Sequence, residues 1–297
     1  MNLTKTAFFF VLLLILAGVY GILQTPDPSE WIISDEGVIS YPQRGDVVYS
    51  ITDMEDTGTS DTLKFVSFES QNAVINGLLR IPGSDTKVPA VVLLPGAGVT
   101  KENEQGLASI ISSMGYASIA LDQRNLGGID PQGDLEMFKK GMDPVEYSMV
   151  YDVLKAADVL RKQSEIDSDN IAIIGSSNGG RFAIIATALD PAIKGVIGIS
   201  TSGYDTDSID PARVGDMEAY TFYISIDPDM YIRHISPRRV VMLHSLNDTI
   251  IPYGMAQKTF DKAAEPKAMY NITDPTHGYT GSMQPYLEQE LQTIFTF

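Results

Sequence analysis

Ile171-Ala172-Ile173-Ile174-Gly175-Ser176-Ser177-Asn178-Gly179-Gly180-Arg181 decides the reading of this chain. Four apolar residues in a row suit a strand covered on both faces. The next residues fit Gly-x-Ser-x-Gly, and the run Arg181 to Leu189 that follows is rich in helix formers. Strand, tight turn and helix in that order put Ser177 on a strained turn at the carboxyl end of a strand. Small neighbours let the backbone pass close to the helix, so the hydroxyl stands free toward a substrate. Glycine–serine clusters are common in loops, and it is the flanking strand and helix that give this one weight.

Outward from this point the chain alternates strand and helix. Leu63 to Phe68 alternates in polarity and Ala73 to Ile81 follows after a polar turn, which reads as an antiparallel pair. Apolar strand runs then recur at Val88 to Leu94, Tyr116 to Leu121, Ile171 to Ile174, Val196 to Ile199, Val240 to Leu243 and Ala268 to Ile272. Helical runs lie between most of them, which predicts an α/β fold with a mostly parallel central sheet and helices on both faces. Asp143-Pro144-Val145-Glu146 looks like a helix start, with Asp143 as N-cap, Pro144 in the first turn and Glu146 completing a capping box. Val145, Met149, Val153, Ala157 and Leu160 continue it as a core-facing stripe, and Leu287, Leu291, Ile294 and Phe295 form another near the C-terminus.

The expected organisation is an N-terminal hydrophobic segment at 1–23, a linker or irregular cover at 24–45, and one catalytic domain at 46–297 with a cap-like excursion at about 201–237. Ala7 to Leu23 is uncharged and follows Lys5, while Asp27 and Glu30 come after it, which orients the amino end inside and the rest outside. Its 17 residues lie between a signal-peptide core and a short membrane span. Ala17-Gly18-Val19 is a poor cleavage site, which favours a membrane anchor over a secreted product and leaves both open. The excursion carries Tyr204, Tyr220, Phe222, Tyr223 and Tyr231, and at this length it either overhangs the site, its aromatic residues lining an acyl pocket, or packs as a surface excursion. A formal charge of −17 excludes a phosphate-binding nucleic-acid surface, and the absence of cysteine excludes disulfides, thiolate nucleophiles and Cys-ligated metals.

A serine hydroxyl needs an imidazole to take its proton and a carboxylate to orient that imidazole. Only three histidines exist. His234 falls in the excursion and His244 ends a strand, whereas His277 sits in a loop just after the last strand, where a base can reach a site above the strand ends. Asp248, in the loop after Val240 to Leu243, is the favoured carboxylate, with Asp274, Asp227 and Asp229 as alternatives. The catalytic set is therefore Ser177, Asp248 and His277. Negative charge built on a carbonyl oxygen needs two aimed N–H donors. Asn178, next after the nucleophile, supplies one, and Ala97 in Pro95-Gly96-Ala97-Gly98 supplies the other, with Gly98 in reserve. The histidines are not at ligand spacing and Asp205-Thr206-Asp207-Ser208-Ile209-Asp210 lacks the features of a calcium loop, so no cofactor or metal is expected.

From about Leu63 onward this ordered set resembles the α/β-hydrolase superfamily, its dienelactone-hydrolase-like and prolyl-oligopeptidase-like catalytic domains above all. His244 to Pro252 looks like that superfamily's strand-end acid motif, with Ser245 in place of a glycine, and Leu121-Asp122-Gln123-Arg124-Asn125 resembles its Asp-x-Arg-Gly turn. Pro95 stands where members often have histidine. The resemblance implies core pairing for Asp122 or Arg124. It also implies a serine hydrolase that cleaves an ester, thioester or amide of a small-molecule or peptide acyl substrate. A carboxylesterase is favoured over a peptidase because nothing here resembles a propeller domain. An acyltransferase on the same triad and a noncatalytic binding protein stay open, and oligomeric state is not legible.

Overall fold

The computed structural model describes residues 31–34, 37–41, 44–54 and 60–296. The Ala7 to Leu23 stretch lies outside them, and among the described residues no helix is long and apolar enough to cross a membrane. A small antiparallel pair, β1 (Ile32–Ile33) and β2 (Ile39–Ser40), precedes the main sheet. That sheet holds β3 (Tyr49–Asp53), β4 (Thr62–Ser70), β5 (Ala73–Ile81), β6 (Val88–Leu94), β7 (Ala117–Leu121), β8 (Ile166–Ser176), β9 (Gly195–Ile199), β10 (Arg239–Ser245) and β11 (Lys267–Ile272). Their order is β11-β10-β9-β8-β6-β7-β5-β4-β3. From β11 to β7 all neighbours are parallel, and β7 to β3 pair antiparallel.

Strand alternation splits the core into two layers. Ala90, Val92, Leu94, Ile171 and Ile173 face one layer, against α3 (Val145–Arg161) and α4 (Asn178–Leu189). Val91, Leu93, Ala172, Ile174, Ile197 and Val241 face the other, with α1 (Gln105–Ser113) and α7 (Gln284–Thr296). Strands buried on both faces must read as unbroken apolar runs, which is why the run at Ile171 to Ile174 was legible. The remaining helices are α2 (Pro131–Lys139), α5 (Met217–Ser225) and α6 (Tyr253–Lys262).

The start of α3 differs from the capping box expected at Asp143 and Glu146. The Asp134 carboxylate, from α2, accepts the N–H groups of Val145 and Glu146 at 2.9 and 3.1 Å. Glu146 turns inward instead and meets Arg181 of α4 at 2.8 Å, both residues 2% exposed. Burial lifts the Glu146 carboxyl above its ordinary range, although the adjacent guanidinium opposes that. The described part of 24–45 is a cover: Ile39 is buried and its N–H donates to the buried Tyr231 hydroxyl at 3.0 Å.

The chain runs from β6 to β7 on one side and then returns to β8 on the other side of β6. The crevice beyond the carboxyl ends of β6 and β8 is thus a topological switch point, where open α/β sheets bind ligands. Helix α4 presses on it so closely that a Cβ on Gly179 would sit 2.3 Å from the Leu94 carbonyl oxygen and 2.6 Å from that of Pro95. Gly106, in the first turn of α1, has open space around it. Gly179→Ala should therefore destabilise by about 3 kcal/mol or more, from overpacking against backbone that cannot yield. Gly106→Ala should stabilise by about 0.5 kcal/mol through helix propensity and a stiffer unfolded chain. Thermal or urea unfolding of the two variants checks both signs.

Candidate active site

Ser177 stands between β8 and α4, as the N-cap of the helix, at φ 51° and ψ −121°, a conformation that residues with side chains rarely adopt. Its N–H donates to the Ile199 carbonyl at 2.8 Å, and its carbonyl accepts the Thr201 hydroxyl at 2.7 Å. Ile199 ends β9 and Thr201 lies two residues beyond it, so the close of the neighbouring strand clamps the strained turn on both sides. The amino terminus of α4, with no acidic residue in its first turn, points its partial positive charge at this spot.

The acid and the histidine are in direct contact. The Asp248 oxygens lie 2.9 and 3.1 Å from His277 Nδ1. With a carboxylate opposite Nδ1, the neutral ring carries its proton there and leaves Nε2 free to accept one. Asp248 is 6% exposed and also accepts the N–H groups of Ile250 and Ile251 at 2.9 and 3.0 Å. Burial alone would raise its pKa, but the His277 contact and the two amides outweigh that and hold it below the ordinary carboxylate value. The loops carrying acid and base are sewn together by Ser245 Oγ donating to the Asp274 carbonyl at 2.5 Å and Asn247 Nδ2 to that of Thr273 at 3.1 Å.

Ser177 joins this pair through β9 rather than by a bond of its own. Gly278 N donates to Ser200 Oγ at 3.0 Å, and Ser200 sits between the two residues that hold the Ser177 backbone. Among the described residues no hydrogen bond links the Ser177 hydroxyl to His277. Such bonds often tighten only when substrate is present.

The loop after β6 lies beside Ser177, since a Cβ on Gly96 would be 3.4 Å from that of Ser177. Among the described residues the N–H groups of Ala97 and Asn178 have no hydrogen-bond partner, as donors awaiting an oxyanion require. Gly98, the reserve choice, is excluded because its N–H donates to the Leu126 carbonyl at 2.7 Å.

The other sequence candidates are engaged elsewhere, except that His244 Nε2 lies 3.6 Å from Asp248 Oδ2. His234 is exposed beside Arg233. His244 is fully buried, its Nε2 bonded to the Ile251 carbonyl at 2.9 Å, and burial lowers its pKa, so it stays neutral. Asp274 takes the Thr280 hydroxyl at 3.0 Å. Asp227 accepts backbone N–H groups of Tyr204 and Thr206, whereas Asp229 pairs with Lys262 at 2.8 Å. That ammonium also bonds Asp205 and Asp207, so a lysine fills the one cluster of carboxylates with metal-ligating spacing among the described residues. Core pairing of the Asp122 turn holds: Arg124 is bidentate to Asp152, and Asp122 meets Lys101.

Two of the excursion's aromatic residues are not placed to line an acyl pocket. Phe222 and Tyr231 are fully buried in the core, while Tyr204 lies over the Arg181 guanidinium at 4.2 Å. Sequence reasoning missed Ser200, Thr201 and Arg181. The small polar cluster Ser200-Thr201-Ser202-Gly203 at a strand's carboxyl end was the available signal for the first two. Surface clefts of about 590 and 840 Å³ open at the opposite, amino-terminal end of the strands and share no residue with the candidate triad.

Residues 52–205, just over half the chain and including Ser177, match the family described as acetyl xylan esterase (AXE1). The chain belongs to that family. Its sheet and helices are those of an α/β-hydrolase. An acetyl xylan esterase from Paenibacillus sp. R4 superposes with a TM-score of 0.71 at 17% identity, covering 84% of this chain and 90% of that one. A glucuronoyl esterase from Solibacter usitatus gives 0.64 at 13% identity, covering 90% of each. In sequence this AXE1-family chain is 34% identical over 87 residues to the putative hydrolase YtaP of Bacillus subtilis, 28% of this chain and 29% of that protein. It is 23% identical over 141 residues to the acetyl esterase Axe7A of Xylanibacter ruminicola, 41% of this chain and 31% of that protein. The chain thus spans less than half the length of these curated relatives.

A carboxyl with a lowered folded-state pKa stabilises the fold above its unfolded pKa and loses that contribution as pH falls through the folded value. The stability difference between wild type and Asp248→Asn should therefore be constant above about pH 5 and shrink below about pH 4. Urea unfolding of both proteins across that range measures it.

Proposed function

We propose that this AXE1-family protein is a serine esterase that removes a small acyl group from an alcohol through an acyl-enzyme. The observation that carries the reading is the Asp248–His277 contact at 2.9 Å, in loops docked by Gly278 and Ser200 against the turn that holds Ser177. Ser177 Oγ attacks the ester carbonyl carbon while His277 Nε2 takes its proton. The oxygen becomes negative between the N–H groups of Ala97 and Asn178. As the tetrahedral centre collapses, His277 returns the proton to the departing alkoxide. Water then attacks the acyl-enzyme by the same relay, which frees the acid and restores Ser177. Asp248 fixes the ring's orientation and tautomer and stabilises its charged form.

The substrate reading comes from the family and from relatives described as acetyl esterases: an acetyl ester of a sugar hydroxyl. Lys5 followed by the apolar Ala7 to Leu23 supports placement outside the cytoplasm, anchored or secreted.

A fluorophosphonate probe on the full chain should label Ser177 and not Ser177→Ala. On p-nitrophenyl acetate, Ser177→Ala should lower kcat by about 10⁴–10⁶ and Asp248→Asn by about 10³–10⁴. A p-nitrophenyl series should favour acetyl over longer chains. Folded wild type that neither reacts with the probe nor hydrolyses any ester of the series would sink the reading.

A further inference from the structure

We infer that the turn Asp122 to Gly127 braces both oxyanion donors, and that Gln123 and the side chain of Asn178 are positioning residues for catalysis. The inference rests on the serine-esterase reading and deepens it. Gln123 Nε2 donates to the Pro95 carbonyl at 2.6 Å, Gly98 N to the Leu126 carbonyl at 2.7 Å, and Asn178 Nδ2 to the Gly127 carbonyl at 2.8 Å. These bonds flank one donor, Ala97, on both sides and seize the side chain of the other donor's own residue. The turn also touches Ala97 itself, since a Cβ on Gly127 would lie 3.5 Å from the Ala97 Cα.

The brace is itself anchored. Asp122 accepts the Lys101 N–H at 3.0 Å and its ammonium at 2.6 Å, which ties down the far end of the 95–101 loop. Arg124 reaches Asp152 at 2.8 and 3.0 Å and the Ser70 carbonyl at 2.8 Å. Arg181, held by the buried Glu146, grips the oxygen of the Asn178 amide at 3.1 Å. Both atoms of that amide are thus fixed, one from the turn and one from the core.

Backbone conformation points the same way. Asn125 and Leu126 both stand at φ 51°, followed by Gly127 at φ 69°, three left-handed residues in succession of which two carry side chains. The Leu126 side chain is 48% exposed, so core packing does not account for its conformation. What the conformation does is turn the carbonyls of Leu126 and Gly127 toward the two donor loops. Strained residues persist where their surroundings over-determine them, commonly at functional sites.

Donors stabilise an oxyanion only if fixed where the charge forms, and a misplacement of about 1 Å costs rate far more than ground-state binding. Asn178→Ala keeps the backbone N–H and removes only the brace, and Gln123→Met keeps the shape and removes the bond to Pro95. In the full chain each should lower kcat on p-nitrophenyl acetate about 10-fold, with KM within about 3-fold and the pH profile of kcat/KM unmoved. The rate of fluorophosphonate labelling should fall in parallel. Asn178→Ala should also lower Tm, because it leaves the buried Arg181 guanidinium and the Gly127 carbonyl short of a partner, so rates are compared at a temperature where every variant is fully folded. A merely structural role would lower Tm and leave the kcat of the folded protein unchanged. Asn178→Asp, which keeps an oxygen for Arg181 but offers no donor to Gly127, should fall as far as Asn178→Ala. Should Gln123→Met fail to fold, the two Asn178 variants carry the test. Folded variants with kcat and labelling rate within twofold of wild type overturn the proposal. A wild type inert to the probe removes the serine reading and the brace together, and is told apart from failure of the brace alone, where wild type reacts and the variants match it.

Discussion

Backbone pressed on backbone, closer than any side chain permits, is the constraint on which this molecule turns. Gly175, Gly179 and Gly180 have no room for a Cβ: one on Gly175 would meet Gly179 O at 2.4 Å, and one on Gly180 would meet the Thr201 side chain at 2.6 Å. Helix α4 can therefore start only where it does, directly over the ends of β6 and β8. The chain must reverse within a single residue to reach that start, and Ser177 takes up the strain at φ 51°. The close approach also sets the helix's positive end beside the loop that follows β6.

The remaining parts of the site are fixed by reference to that turn. The close of β9 is the hub: Ile199 and Thr201 bind Ser177 from both sides, and Ser200 between them accepts from Gly278 of the histidine loop while its own N–H reaches Leu243 of β10. Asp248 is buried yet ionised because amides and an imidazole surround it, and that makes the acid's geometry rigid as well as its charge. Beneath, the Glu146–Arg181 pair joins two helices that lie on the same face of the sheet. Losing one partner of such a pair costs about 3–5 kcal/mol, since the other is left charged and buried.

How much of this was legible depended on the range of the interactions. Strands β6, β8, β9 and β10 announce themselves because burial on two faces forces unbroken apolar runs. Ser177, Asp248 and His277 could be chosen because so few histidines compete and each candidate follows a strand. The cap of α3 was misread because its carboxylate comes from Asp134, outside any local capping pattern. Phe222 and Tyr231 were offered as pocket walls because an aromatic ring in a polar segment reads alike whether it faces substrate or core. The contacts that decide lie far away in sequence, at Tyr147 and Ile39. The bond that occupies the N–H of Gly98, the reserve to Ala97, is out of sight of the sequence for the same reason, since its acceptor is Leu126.

The candidate triad follows β8, β10 and β11, whereas the strand between the first two contributes none of its members. From that strand departs a long excursion, which passes Tyr204 over Arg181 before returning at β10. The three candidate residues and that excursion are thereby carried on separate stretches of chain. Mutation can lengthen, shorten or recolour the excursion while Ser177, Asp248 and His277 keep their places at the ends of other strands, so the two can change independently.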